Sequence, residues 1–446
     1  NQLLAILVMK LVWSDLKLKK KGSNQSLFKQ NKMIHYTNNK PFVEGVSLED
    51  IAKAQTTPFY VYSQTKITST FEQLKNTLDS EIFYAVKANS NQSIIKLLAS
   101  LGAGADVVSI GELERAILAG VDPQKIIFEG IGKTKQDITF AIEKNIRLIN
   151  IESIDELERV NEVALHQNKK INIGIRLNPN IDGQTLDKIS TGKKTDKFGI
   201  DTDKLNELFK VLEVSKNVNL IGISCHVGSQ IFNINVFAEI FHKMKANAQI
   251  FLDKGYTIKH VDLGGGLGVN YSQDQEILNL ALIKNEMNKC YVDVPYKLSF
   301  EPGRYLVANA GILVTTVITI KNNGGINYLI TDAGMHTLIR PALYKAHHEI
   351  ESISGNTEKP TDYTIAGPIC ESSDIFGKNI SLPQQQIGNL IIIKDTGAYG
   401  KVMASNYNSR GLPKEILVKD NNFFVIHKPL STKDFIDQDR IPDWLI

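Results

Sequence analysis

Cysteine is scarce in this chain. Only Cys225, Cys290 and Cys370 occur in 446 residues, an odd count with no close spacing. That excludes a disulfide scaffold and a zinc ribbon, and it fits a reducing compartment, the cytoplasm. An excess of one charge is also lacking: 51 Lys and Arg stand against 48 Asp and Glu, a net +3. So small a balance gives no basis for binding nucleic acid or an anionic membrane. No apolar run is long enough to cross a bilayer. The nearest, from Leu3 to Trp13, is interrupted by Lys10 and is followed, not preceded, by the basic Lys17–Lys21 stretch, the reverse of a secretory signal. Residues 1–32 are read as a leader, disordered or foreign to the folded protein, with a weak interfacial anchor as the lesser alternative.

What is present is enough chain for two or three domains. From residue 82 onward, short β-rich apolar runs alternate with amphipathic helical stretches. The strand candidates are Ile82–Asn89, Ala105–Ser109, Lys125–Gly130, Arg147–Ile151, Asn172–Leu177, Leu220–His226, His260–Leu263 and Lys297–Glu301. Between them, Ile94, Leu97, Leu98 and Leu101 recur at helical steps, as do Leu205, Leu208, Phe209 and Leu212 behind a possible cap at Asp201. Phe237, Ile240, Phe241, Met244, Ala248 and Phe251 share one face of a helix predicted to stop at Gly255. Eight strands alternating with helices over about 82–307 predict an α/β fold, a parallel (β/α)8 barrel near the ~250 residues typical of that architecture. Beyond residue 311 the runs Leu313–Ile320, Ile326–Thr331, Tyr363–Ile365, Leu390–Ile393 and Phe423–Ile426 are separated by turns, with no long amphipathic helix among them. The expected organisation is a segment 33–70 that pairs with the β-domain, a barrel over 71–310, and a second, mostly-β, barrel-like domain over 311–446.

The residues that bear chemistry fall at strand ends, where such barrels gather it. Lys87 ends the first run, His226 ends the sixth, Gly264-Gly265-Gly266 follows the seventh, and Glu301-Pro302-Gly303-Arg304 ends the eighth. A lysine in low dielectric has a lowered pKa and can attack a carbonyl carbon, although a strand-end lysine can equally snorkel to water. Glycines let backbone N–H groups approach phosphate, although a tight turn explains a lone triplet as well. Glu301 is an acid for a ring nitrogen or a surface ion-pair partner; His226 is a ring-stacking residue or a polar core histidine. An amine, a phosphate cradle and a carboxylate together are what pyridoxal 5'-phosphate requires.

Taken in order, Tyr84-Ala85-Val86-Lys87-Ala88-Asn89, His226-Val227-Gly228-Ser229-Gln230, Gly264–Gly266 and Glu301-Pro302-Gly303-Arg304 resemble the alanine-racemase-like, fold-type III pyridoxal phosphate decarboxylases. Asp332-Ala333-Gly334-Met335, Ile339-Arg340-Pro341-Ala342-Leu343-Tyr344, Gly367-Pro368-Ile369-Cys370-Glu371-Ser372 and Gly397-Ala398-Tyr399 are similar to the branch acting on diaminopimelate, over about residues 33–446. The resemblance implies a β-domain that takes an N-terminal strand, here Phe59–Tyr62, and a head-to-tail homodimer with shared active sites. It implies that Lys87 carries the cofactor and Glu301 meets its ring nitrogen. Asp106, His226, Ser229, Gly265, Gly266, Pro302, Gly303, Arg304 and Tyr399 would complete the cofactor site, while Cys370 and Glu371 enter from the partner subunit. His336-Thr337 stands where Asn-Asp is more usual, and Ser373 where Gly is common.

The implied activity is decarboxylation of meso-2,6-diaminopimelate to L-lysine and CO2, the last step of lysine biosynthesis. Physical need agrees with it. A negative Glu301 keeps a proton on the ring nitrogen, which suits decarboxylation over racemisation. Cys370 is a suitable acid to return a proton to Cα, unless it is only a small apolar filler. Arg304, Arg340, Tyr344 and Tyr399 suit the substrate's distal end: arginine clamps a carboxylate bidentately, and Glu371 suits the distal ammonium. The rivals are a decarboxylase of ornithine, arginine or carboxynorspermidine, and a cofactor carrier without turnover. Arg340 with Tyr344 opposes the first, and Cys370 with Glu301 opposes the second.

Overall fold

The computed structural model describes residues 33–183, 191–272, 277–353 and 360–445. The expected leader, residues 1–32, lies outside them. Eight parallel strands close on themselves: Glu81–Ala85, Gly104–Val107, Ile126–Phe128, Leu148–Ile151, Ile171–Asn178, Val218–Ser224, His260–Asp262 and Lys297–Phe300. Ser299 pairs with Glu81 and Phe300 with Ile82, joining the last strand to the first. The strands read as continuous apolar runs because both faces are covered, by helices outside and by packed side chains within. Leu148–Ile151 is buried at every position.

Helices are placed by polar caps. Ser109, Thr134 and Ser153 each accept a hydrogen bond from a backbone N–H of the first turn that follows. The longest helix, Ile234–Asp253, is capped by Asn233 and buries Phe237, Ile240, Phe241, Met244, Ala248 and Phe251, the predicted stripe. Gly255 ends it with a φ of +84°, a left-handed conformation that glycine adopts without a Cβ penalty. Asp201 caps a short 3-10 turn, Thr202–Lys204, that leads into the helix Leu205–Val214.

A second sheet system begins where the barrel ends. Gly311–Asn323 pairs with Leu390–Ile393, Ile326–Thr331 and, antiparallel, with Phe59–Ser63. Phe59–Ser63 also pairs in parallel with Lys414–Lys419. The early strand is therefore internal, and all five of its residues are buried. Strand alternation gives it two faces. Phe59 and Val61 join the β-domain core of Ile312, Val314, Ile416 and Val418, whereas Tyr60 and Tyr62 join the core continuous with the barrel. Their hydroxyls donate to the Thr337 carbonyl and to Glu415, each at 2.7 Å. Within this sheet system, three strands, Ile350–Ser352, Ile375–Leu382 and Lys414–Lys419, add to those predicted. Among the described residues, no helix is long and apolar enough to cross a membrane.

Phe241 links the long helix to the last barrel strand, meeting Phe300 edge to face at 6.5 Å between centroids. Phe241→Ala should destabilise the barrel by about 3–5 kcal/mol, the usual loss for a buried phenylalanine. Denaturant titration checks this; a loss below about 1 kcal/mol would show that the helix is not fastened to the barrel there.

Candidate active site

Lys87 lies just past the first strand, in the 3-10 turn Val86–Ala88, because the strand ends at Ala85. Its Nζ is 2.9 Å from Oδ2 of Asp106 on the neighbouring strand, and the Asp106 side chain is fully buried. Burial alone would lower the Lys87 pKa, as the sequence leads one to expect. Asp106, Tyr399 and Glu301 together outweigh it, and the ammonium is held above its ordinary range. The expectation of a depressed amine is thus corrected: a carboxylate on the next strand reverses its sign.

Glu301 follows the last strand, its N–H donating to the Gly264 carbonyl at 2.9 Å. Burial, then Asp262, Asp106 and Glu129, push its pKa well above the carboxylate range. His226 lies two residues past the Val218–Ser224 strand, and its Nδ1 accepts from the Gly265 N–H at 3.1 Å. The neutral ring therefore carries its proton on Nε2. Burial, then Arg176 and Lys87, hold the His226 pKa well below normal. The glycine run is sterically required. A Cβ on Gly265 would fall 2.3 Å from the Glu301 carbonyl oxygen, and one on Gly266, at φ +84°, 2.4 Å from the Gly228 oxygen. Pro302 accepts from the Ala85 N–H at 3.2 Å, and a Cβ on Gly303 would press on Ala85 and Ala88, so this loop packs beside the Lys87 turn.

Arg304 opens a short helix and donates to Ser229 Oγ from Nε and from its terminal nitrogen, each at 3.2 Å, and to the Tyr271 hydroxyl at 3.0 Å. Its guanidinium lies 4.7 Å from the Tyr399 ring centroid. Tyr399 is held at φ +54°, with its N–H donating to the Ala88 carbonyl at 2.8 Å. Arg340, in the helix Arg340–Tyr344, stacks 4.5 Å from the Tyr271 centroid and donates to His348 Nε2 at 2.8 Å. Tyr344, half-buried at the end of that helix, acts electrostatically on both arginines. Burial, then Arg304, lowers the Arg340 pKa. Among the described residues, no carboxylate pairs with Arg304 or Arg340. Contacts thus lead stepwise from the Lys87 turn, at Ala88, through Tyr399, Arg304 and Tyr271 to Arg340.

Cys370 and Glu371 lie apart, on the β-domain surface. Both are exposed. The Cys370 N–H donates to Asn408 Oδ1 at 3.1 Å, and Glu371 accepts from Tyr407 at 2.6 Å and from Ser373 at 2.9 Å. The unusual Ser373 thus orients Glu371. Sequence reading misses Tyr271, His348, Arg176 and Glu129. Arg176 reaches Glu152 at 3.2 Å and Glu129 at 3.6 Å inside the barrel. Arg176 was legible only as an arginine inside an apolar run, and Tyr271 carried no signal.

Three carboxylate oxygens, Asp106 Oδ1, Glu129 Oε2 and Glu301 Oε1, are buried without a hydrogen-bond partner. Orphaned acceptors beside an amine and a glycine run fit a ligand that brings a cationic ring nitrogen, an aldehyde and a phosphate, as pyridoxal phosphate does.

Comparison with known proteins agrees. Residues 64–308 match the family model described as pyridoxal-dependent decarboxylase, pyridoxal binding domain. The chain is similar to diaminopimelate decarboxylase of Aquifex aeolicus, with 38% identity covering 89% of this chain and 95% of the relative. It is similar to that of Neisseria meningitidis serogroup A, with 40% identity covering 87% and 96%. The crystal structure of diaminopimelate decarboxylase from M. jannaschii in co-complex with L-lysine superposes with a TM-score of 0.88 at 37% identity, covering 93% of this chain and 99% of that one.

The Lys87–Asp106 pair sets a reactivity. In cofactor-free protein, Lys87 should be acylated more slowly than surface lysines at mildly alkaline pH, because its carboxylate neighbour retains the proton. Asp106→Asn should accelerate that modification several-fold, read by peptide mass spectrometry. Equal rates in the two proteins would show that Asp106 does not hold the Lys87 proton.

Proposed function

From a chain that belongs to the diaminopimelate decarboxylase family of pyridoxal-dependent decarboxylases, we infer an enzyme that removes CO2 from meso-2,6-diaminopimelate at its D-centre and releases L-lysine. The observation that carries the substrate assignment is the pair of guanidiniums, half-buried Arg304 and buried Arg340, sharing Tyr271 with no carboxylate among the described residues to neutralise them. A buried cation without a counter-ion is costly, and a substrate carboxylate relieves that cost.

Lys87 would hold the aldehyde carbon of pyridoxal phosphate, Glu301 its ring nitrogen and His226 its ring face. Gly265, Gly266, Ser229, the Glu301–Arg304 loop and Tyr399 would hold its phosphate. When bound, the cofactor supplies a conjugated sink for the electrons left at Cα as CO2 departs. Glu301, surrounded by other carboxylates, is ready to pair with a cationic ring nitrogen and keep its proton there. Neutral His226 adds bulk over a ring without adding charge. Asp106 gives the Lys87 ammonium a resting partner whenever the amine is released.

Cys370 returns the proton to Cα, and Glu371 binds the distal ammonium. Their exposure on their own chain supports a homodimer in which each copy lends them to the other's site. The few, unpaired cysteines support residence in the cytoplasm. An ornithine- or arginine-type decarboxylase would leave Arg340 unpaired in every substrate complex, which disfavours it.

Purified protein should release CO2 from meso-diaminopimelate and react poorly with ornithine, arginine and lysine. Arg340→Leu removes a charge-assisted bond of roughly 1.5–3 kcal/mol, a loss of about 10- to 150-fold in kcat/KM with cofactor content unchanged. A preference for ornithine, or full activity in Arg340→Leu, would sink the assignment.

The shared site has its own test. Inactive Lys87→Ala and Cys370→Ala proteins, mixed and allowed to exchange subunits, should recover about a quarter of wild-type activity, since half the dimers regain one of two sites. No recovery despite demonstrated exchange would place each site within one chain.

A further inference from the structure

We propose that His348 is a positioning residue for substrate recognition: its Nε2 accepts a hydrogen bond from Arg340 and aims that guanidinium at the distal carboxylate without neutralising it. This rests on the reading of Arg340 as the carboxylate's partner. The geometry fixes the tautomer. Arginine can only donate, so His348 Nε2, 2.8 Å from the guanidinium, must be the acceptor. Nδ1 then carries the proton and donates to the Lys394 carbonyl at 2.7 Å. His348 is buried, and its ring meets Tyr271 edge-on at 5.3 Å between centroids. Burial, then Arg340, drives its pKa down to about 3, in keeping with a neutral ring at any pH where the enzyme works.

The choice of residue has a physical reason. Arg340 is held from two sides, in plane by His348 and on its face by Tyr271. Tyr271 also binds Arg304, so two like charges are kept close although they repel. An aspartate or glutamate at position 348 would orient Arg340 equally well, yet it would form an internal ion pair that substrate must break. An apolar residue would leave the guanidinium free to turn from Arg304. A neutral imidazole with a locked tautomer gives direction and leaves the full charge for the ligand.

The test uses holoenzyme and two ligands. L-Lysine carries the carboxylate and ammonium of the retained end of the substrate; cadaverine has no carboxylate. His348→Asn keeps an amide donor for Lys394 but loses the acceptor for Arg340. By titration calorimetry it should bind L-lysine about tenfold more weakly, the worth of one hydrogen bond to a charged group. Cadaverine binding should be unchanged, and KM for substrate should rise with kcat within about threefold. His348→Gln, which restores a neutral acceptor further out, should recover most of the L-lysine affinity. Unchanged L-lysine binding in His348→Asn, or equal weakening of both ligands, overturns the proposal, the second outcome marking a merely structural role. If His348→Asn does not fold, the comparison of His348→Gln with His348→Leu decides by the same two ligands. Arg340→Leu measured in parallel separates the layers. If it leaves L-lysine binding intact, the reading of Arg340 fails; if it weakens binding while His348→Asn does not, only the role of His348 fails.

Discussion

The site depends on barrel closure. Ser299 and Phe300 of the last strand pair with Glu81 and Ile82 of the first. Without that seam, the Lys87 turn and the Glu301–Arg304 loop would belong to opposite ends of an open sheet. With it, Pro302 accepts from the Ala85 N–H, and Gly303 packs against Ala85 and Ala88. The Lys87 turn and the loop proposed to bind ring and phosphate are therefore held together by backbone geometry. The β-domain then docks on the same seam. Gly397 donates to the Ala308 carbonyl and Tyr399 to that of Ala88, which brings the Tyr399 ring over Arg304.

Electrostatics divide the cleft into two regions. Around Lys87, the carboxylates Asp106, Glu129, Asp262 and Glu301 crowd together in the barrel mouth, and burial with the neighbouring charges raises the pKa of Glu129, Asp262 and Glu301. That region favours a cationic ring. Around Tyr271, two arginines sit without a paired carboxylate among the described residues, and that region favours an anion. A molecule with an amino-acid head at each end, one joined to a cationic cofactor, matches both. The same separation explains why losing either region's charge should affect one property, chemistry or selection, more than the other.

Much of the barrel was legible in the sequence, because strands covered on both faces leave uninterrupted apolar runs such as Leu148–Ile151. The observed strands start and stop within a few residues of the predicted ones; Lys87 leaves its strand early because the chain turns at Val86. Ile375–Leu382 was not legible: its burial varies irregularly along a strand at the sheet edge, so no clean period of two survives. Within the site, residues tied to a strand end or a glycine run could be picked out. The sign of the Lys87 shift could not, since it is set by Asp106 across a strand pair that sequence proximity does not reveal. Tyr271 was invisible for the same reason, since it matters through Arg304, 33 residues away; His348 is only eight residues from Arg340, but nothing in the intervening sequence shows that the chain folds back to join them.

The strand Phe59–Ser63 has a consequence for biosynthesis. It lies between Gly311–Asn323 and Lys414–Lys419, so one of its partners is far along the polypeptide. About 350 residues separate Ser63 from Lys414, which at roughly 5–20 residues per second is a wait of about 20–70 seconds during translation. Throughout that interval a strand that ends fully buried has at least one edge unmatched, a surface that other nascent chains can pair with. The barrel can close as soon as residue 300 is free of the ribosome, but the β-domain cannot. Folding is therefore staged: a completed barrel waits with one edge of its early strand unmet until Lys414–Lys419 arrives, and that late annealing step is where holding chaperones would have most effect.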